Sequence, residues 1–371
     1  MTTLDLLDRL VGFPTVSADS NLDLIDWAED LLRGSGARTQ RIPDPTGKKA
    51  GLYACLGPDT DGGVLLSAHT DVVPVIGQPW SHDPFRLKRH GDRVYGRGTS
   101  DMKGFVASVL NMTRQAASRH LSEPLKIVLS YDEEVGCKGI AEMMPKLTPA
   151  MGHPRVCIVG EPTSMQIATG HKGKAAYRAT CMGQSGHSAM APKFRNALHL
   201  GADFLAALRQ LQHEVAQSGA TDDAYEVPYS TVHAGKFTGG TALNIVPDSC
   251  TIDYEIRHLK DDRIEVFEDR LKAAARAIGN LKLERTNIYP GLDVPSSAPC
   301  IKEIQSLLPD ADITKVAFGT EAGFFQAEGI PTLVCGPGSM DQGHIPDEYI
   351  DIAQLDACDR FLGRLLDSIA A

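Results

Sequence analysis

Four short stretches of the chain, residues 64–68, 125–131, 155–159 and 331–335, are apolar almost without interruption. A strand with one wet face alternates apolar and polar residues, so an unbroken run of this length implies a strand covered on both faces, as in a mostly parallel sheet. Between the runs, apolar residues recur at helical spacing. Leu4, Leu7, Leu10 and Val11 form one such series, and Leu24, Ala28, Leu31 and Leu32 another that Gly34 and Gly36 stop; a longer helix is predicted over 102–119. The alternation predicts an α/β class with a mostly parallel, doubly wound sheet.

From about residue 172 to 285 the pattern changes. Strands predicted over 174–182, 230–237, 250–258 and 281–288 alternate apolar and polar residues, with helices over 197–215 and 264–278. At 371 residues the chain exceeds what one core usually serves. The expected organisation is a discontinuous larger domain, 1–171 and 286–371, with a smaller α+β domain inserted over 172–285 and a closing helix over 350–369.

Charge and composition narrow the partners. A net charge of −10 without a basic stripe argues against nucleic acid and anionic membrane surfaces. No apolar run approaches a membrane span. Asp5 and Asp8 sit where a secretion signal would carry a basic and then an apolar block. The eight cysteines include no CxxC pair, and several fall inside apolar strands, where a reduced thiol behaves as a small hydrophobe. A cytoplasmic protein is expected.

Each apolar run leads into metal-binding residue types, where open α/β sheets place their sites. The first delivers His69 and Asp71 in HTDVVP, the second Asp132, Glu133 and Glu134 in YDEEVG, the third Glu161 in GEPT. The fourth leads through GPGSMDQG to His344, and Asp101 stands in GRGTSDMKG before a helix. Singly these are ordinary: Asp101 an N-cap, Glu133–Glu134 a solvated turn, Glu161 a strand end. Their convergence is what demands chemistry. Two divalent ions about 3.5–4 Å apart need a bridging carboxylate, private ligands and an open position for water. Oxygen and imidazole donors without thiolates suit zinc or cobalt. Of two adjacent glutamates, one can ligate while the other accepts a proton, and Asp71 can orient the His69 imidazole.

Together these motifs resemble the M20 family of metallopeptidases and amidohydrolases, over nearly the whole chain. The resemblance implies that His69 and Glu161 bind one ion, Glu134 and His344 the other, and that Asp101 bridges them. It further implies Glu133 as general base and acid, Asp71 as the assistant of His69, and a cis peptide at Asp101–Met102. EPTSMQIATGHKG, GQSGHSA, GTEAGFFQ and GPGSMDQGHIPDEYI are similar to the branch that removes acetyl from N-acetyl-ornithine. Hydrolases of other N-acyl amino acids or dipeptides, and a non-catalytic binding member, are the alternatives.

In the inserted segment, His187 of SGHSAM reads from spacing alone as a surface histidine. The resemblance instead implies a homodimer through 172–285 in which His187 helps the partner's site stabilise the tetrahedral intermediate. Asn244 in LNIVPD and Arg257 in DYEIRHL resemble positions that hold the substrate carboxylate, a task suited to a planar guanidinium. Gly319 and Thr320 in GTEAG could contact an anion at a helix start, although an ordinary capped terminus explains the spacing more simply. Lys103 is expected to be solvated.

Overall fold

A computed structural model describes the whole chain, Met1–Ala371. It divides into two compact units, one of Met1–Gly170, Leu292–Val316 and Thr320–Ala371, the other of His171–Gly291 with Ala317–Gly319.

The larger unit is mixed α/β. Its sheet places Val64–His69 between Leu125–Ser130 and Val156–Val159, with Thr332–Val334 next, and these central strands are all parallel. Antiparallel strands extend both edges, Ala50–Leu56 and Arg38–Pro43 on one side and Ile167–His171 on the other. Every residue of Val64–His69, Leu125–Ser130 and Val156–Val159 is buried, which is why these runs lack polar alternation. Lys126 is tolerated inside one of them because its amine donates to the carbonyls of Gly62 at 2.8 Å and Met151 at 2.7 Å.

Helix Thr3–Val11 starts at a capping box formed by Thr2 and Asp5 and buries Leu6, Leu7, Leu10 and Val11. Helix Ile352–Ile369 buries Leu355, Phe361, Leu362, Leu365 and Leu366. The helix expected over 102–119 runs only from Gly104 to Ala116. Asp101 and Met102 have non-helical backbone in the irregular turn before it, and the peptide between them is cis. All eight cysteines are free and buried. No helix is long and apolar enough to cross a membrane.

The smaller unit is α+β. Its antiparallel sheet runs in the order Thr231–Gly239, Ser249–His258, Gly173–Met182, Leu281–Tyr289. Alternate residues of Gly173–Met182 and Ser249–His258 are buried. Helices Ala197–Ser218 and Ile264–Ile278 cover that face, with Phe204, Leu208, Phe267 and Leu271 against Tyr177, Ile252, Tyr254 and Ile256. Tyr177 and Tyr254 stack at 5.0 Å, and Phe204 meets Tyr254 edge-on at 5.8 Å. Because Phe204 is fully buried at the centre of this cluster, Phe204→Ala is expected to cost about 3–5 kcal/mol; a lowered urea midpoint checks this.

Candidate dinuclear metal centre

Parallel strands end at the same edge of a sheet, so the residues just beyond their carboxyl ends are brought together. His69 closes Val64–His69, Glu133 and Glu134 come soon after Leu125–Ser130, and Glu161 lies just past Val156–Val159. Asp101 arrives on the irregular turn before Gly104, and His344, at positive φ, on the loop after Thr332–Val334.

Asp101 is the centre of the arrangement. Its Oδ1 lies 3.0 Å from His69 Nε2 and its Oδ2 3.1 Å from His344 Nε2. His69 Nε2 also lies 3.7 Å from Glu161 Oε1, and His344 Nε2 2.9 Å from Glu134 Oε2. One carboxylate thus faces two imidazoles, each with a further carboxylate beside it. Donor atoms of His69, Glu133 and Glu161 lie within 4.8 Å of one another, as do those of His69, Asp101 and Glu134.

The supports are equally specific. His69 Nδ1 is 2.9 Å from the backbone carbonyl of Asp71, which can only accept, so Nδ1 carries the proton and Nε2 faces the acids. The expected orienting contact therefore comes from the Asp71 carbonyl, whereas its carboxylate lies 3.6 Å from the ring. That carboxylate accepts the Ser17 hydroxyl at 2.6 Å and the N–H groups of Glu133 at 3.1 Å and Glu134 at 3.3 Å, which fixes the turn carrying both glutamates. The Cys137 thiol lies 3.2 Å from Glu133 Oε1.

Such crowding shifts every proton equilibrium in the cluster. Burial, then the charge of Asp101, pushes Glu134 up to about 7 against the His344 hydrogen bond. Burial also drives Glu133 and Glu161 well above the usual carboxylate range. Burial opposes charge on His69, yet Glu161 and Asp101 hold its pKa well above the usual value, and bonds to Asp101 and Glu134 raise His344 to about 10. Asp101 is held low despite burial, by the bonds to His344 and His69. Glu134 Oε1 is buried with no hydrogen-bond partner. A set of oxygen and imidazole donors crowded with carboxylates, buried apart from the half-exposed His344, fits divalent cations.

Other candidates fall elsewhere. Asp132 pairs with Lys49 at 2.5 Å. Lys103 is fully buried rather than solvated: its amine donates to the Phe13 carbonyl at 2.7 Å, and burial lowers its pKa to about 7. In the smaller unit His187 is exposed, and its Nδ1 accepts the Ala189 N–H at 3.1 Å. Asn244 is close by, its carbonyl accepting the Ser188 N–H at 3.0 Å. Arg257 donates to Glu255 at 2.9 Å. The Thr320 hydroxyl caps Ala322 N–H at 3.0 Å, as an ordinary helix start does. A Cβ on Gly319 would meet the Tyr289 hydroxyl at 2.0 Å, so close packing accounts for that glycine.

Sequence reasoning passes over Arg97, Glu321 and Glu348, all buried. The GRG and PDEYI stretches that carry two of them offer no signal beyond adjacency to Asp101 and His344.

The fold and the two-imidazole, multi-carboxylate centre define a metal-dependent hydrolase. A family model, Peptidase family M20/M25/M40, matches residues 65–368, and the chain belongs to that family. It is 34% identical to the acetylornithine deacetylase of Proteus mirabilis, covering 99% of this chain and 96% of that protein. The Pasteurella multocida protein of the same name is 33% identical, over 98% of this chain and 97% of its own length. Among solved structures, an M20 metallo-carboxypeptidase from Sulfolobus solfataricus superposes with a TM-score of 0.83 at 17% identity, covering 98% of both chains. A dinuclear metal-binding M20 peptidase from Bacillus subtilis gives 0.70 at 13% identity, covering 99% of this chain and 97% of its own.

Both Glu321 carboxylate oxygens are buried without a partner. Burial raises the group to about 7, and the Ser130 hydroxyl pulls it back without a well-formed bond. A carboxyl raised above its unfolded value favours folding most below that value, and the advantage is lost as pH rises to 7. Glu321→Gln is therefore expected to stabilise metal-free protein above pH 7, by at most about 3 kcal/mol, and to flatten the urea midpoint between pH 5 and 7.

Proposed function

We propose that this chain is a two-metal amidohydrolase that removes the acetyl group of N-acetyl-ornithine, releasing ornithine and acetate in arginine biosynthesis. The observation that carries the metal chemistry is the division of Asp101, one oxygen toward His69 and the other toward His344. Relatives with that substrate in their name, similar over nearly the full length, support the choice of acyl amino acid.

In this reading His69 and Glu161 hold one ion, Glu134 and His344 the other, and Asp101 both. Zinc, or cobalt in its place, supplies a polarised amide carbonyl and an acidified water when bound. Glu133 accepts the attacking water's proton and returns it to the departing amine. Asp71 keeps both His69 and the Glu133 turn in register. Asn244 and Arg257 would grip the substrate carboxylate. His187 would donate to the developing oxyanion in a cytoplasmic homodimer formed through residues 172–285, where one such donor is worth about 10²–10³ in rate.

Metal-stripped protein should release free amine from N-acetyl-ornithine only after zinc or cobalt is returned, and faster than from N-succinyl-diaminopimelate or N-acetyl-methionine. Preference for either of the other two would overturn the substrate while leaving the hydrolase. Glu133→Gln should retain both ions and lose roughly 10²–10⁴-fold in kcat; near-normal turnover would remove Glu133 from its role. His187→Ala should lower kcat at unchanged metal content, and mixing it with Glu133→Gln protein should restore part of the rate if the histidine serves a partner subunit.

A further inference from the structure

Arg97 and Glu348 form an ion pair, Nη1 to Oε2 at 2.7 Å, with both side chains 1% exposed. Glu348 accepts more than the guanidinium. Its Oε2 takes the N–H of Gly98 at 3.0 Å, and its Oε1 takes those of Ser100 at 2.9 Å and Asp101 at 3.1 Å. A single carboxylate therefore gathers the backbone of the turn that presents Asp101.

Arg97 reaches the other way. Its Nη2 donates to Gln78 Oε1 at 2.6 Å, and its guanidinium lies 5.0 Å over the Trp80 ring. Gln78 Nε2 donates to the backbone carbonyl of His344 at 3.1 Å, while Arg97 Nη1 comes within 3.4 Å of the Ile345 carbonyl. The Trp80 indole N–H holds Gln78 Oε1 at 3.0 Å. Asp101 and His344 lie far apart in sequence, yet the segments carrying them hang on one continuous set of three side chains.

A buried ion pair is weak evidence of stabilisation, because desolvation offsets much of its attraction. What this one does is directional. The backbone donors to Glu348 all belong to the Asp101 turn, and the acceptors of Arg97 beyond Glu348 are Gln78 and the segment next to His344. His69 is held separately, by the Asp71 carbonyl.

We propose that Gln78, Arg97 and Glu348 are positioning residues that set the Asp101 turn and the His344 segment, and with them chiefly the affinity for the ion that His344 holds. The proposal rests on the two-metal reading above. Groups that orient metal ligands typically matter by about 10–100-fold in affinity.

The test is a cobalt(II) titration of metal-stripped protein against a competing chelator, with optical spectra recorded for wild type, Gln78→Ala and Arg97→Lys. Gln78 is not buried, so its truncation should leave the fold intact. One of the two affinities should fall about 10–100-fold in each variant and the other by clearly less, since Asp101 serves both ions but His344 only one. The visible spectrum of the weakened site should change, and excess metal should restore most of kcat at unaltered KM. Two wild-type affinities in both variants would overturn the proposal. So would a matching loss at both sites with a lowered Tm of the metal-free protein, which would make the three side chains structural only. A wild type that takes up fewer than two ions would instead bring down the two-metal reading, and the proposal with it.

Discussion

Like-charge crowding is the condition the rest of this structure answers. Asp101, Glu133, Glu134 and Glu161 are gathered around two imidazoles, and all four carboxyl groups are withdrawn from bulk solvent. Left to themselves such groups would separate or neutralise by binding protons. Here they cannot separate, because most are fixed to the ends of strands buried on both faces. The remaining freedom is in the protons, and an entering dication must displace them, so metal affinity should climb as the medium becomes less acidic.

Much of this is legible in the chain because the parallel strands announce themselves. Val64–His69, Leu125–Ser130 and Val156–Val159 carry uninterrupted apolar runs that end on the ligands, and the alternating strands of the inserted segment are just as plain. Arg38–Pro43 is not recognisable: an edge strand rich in exposed Arg and Gln has no pattern that separates it from a loop. Helical spacing overextends the helix after Asp101 at both ends, and no propensity rule foresees a backbone that departs from helix where a ligand must be presented.

The site is legible in its donors and not in what holds them. His69, Asp101, Glu133, Glu134, Glu161 and His344 are residue types that chemistry selects, mostly at strand ends where topology puts them. Glu348 and Arg97 are also charged, but their partnership spans 251 positions and leaves no local periodicity. Lys103 reads as a solvated helix residue because its carbonyl partner, Phe13, belongs to the distant N-terminal segment. Asp71 behaves differently again, orienting the imidazole through its main chain and the glutamate turn through its side chain.

Thr332–Val334 sits inside the large sheet, between Val156–Val159 and Ile167–His171, although the chain reaches it last among these strands. During synthesis the strands on either side therefore wait with an open slot between them, while nearly all of the smaller unit, His171–Gly291, has already emerged. Vectorial folding favours the contiguous unit first. The larger one can close only when its C-terminal portion arrives, and the segment that fills the slot also leads to His344. Completion of the sheet and delivery of the last imidazole are thus a single event in the life of the chain.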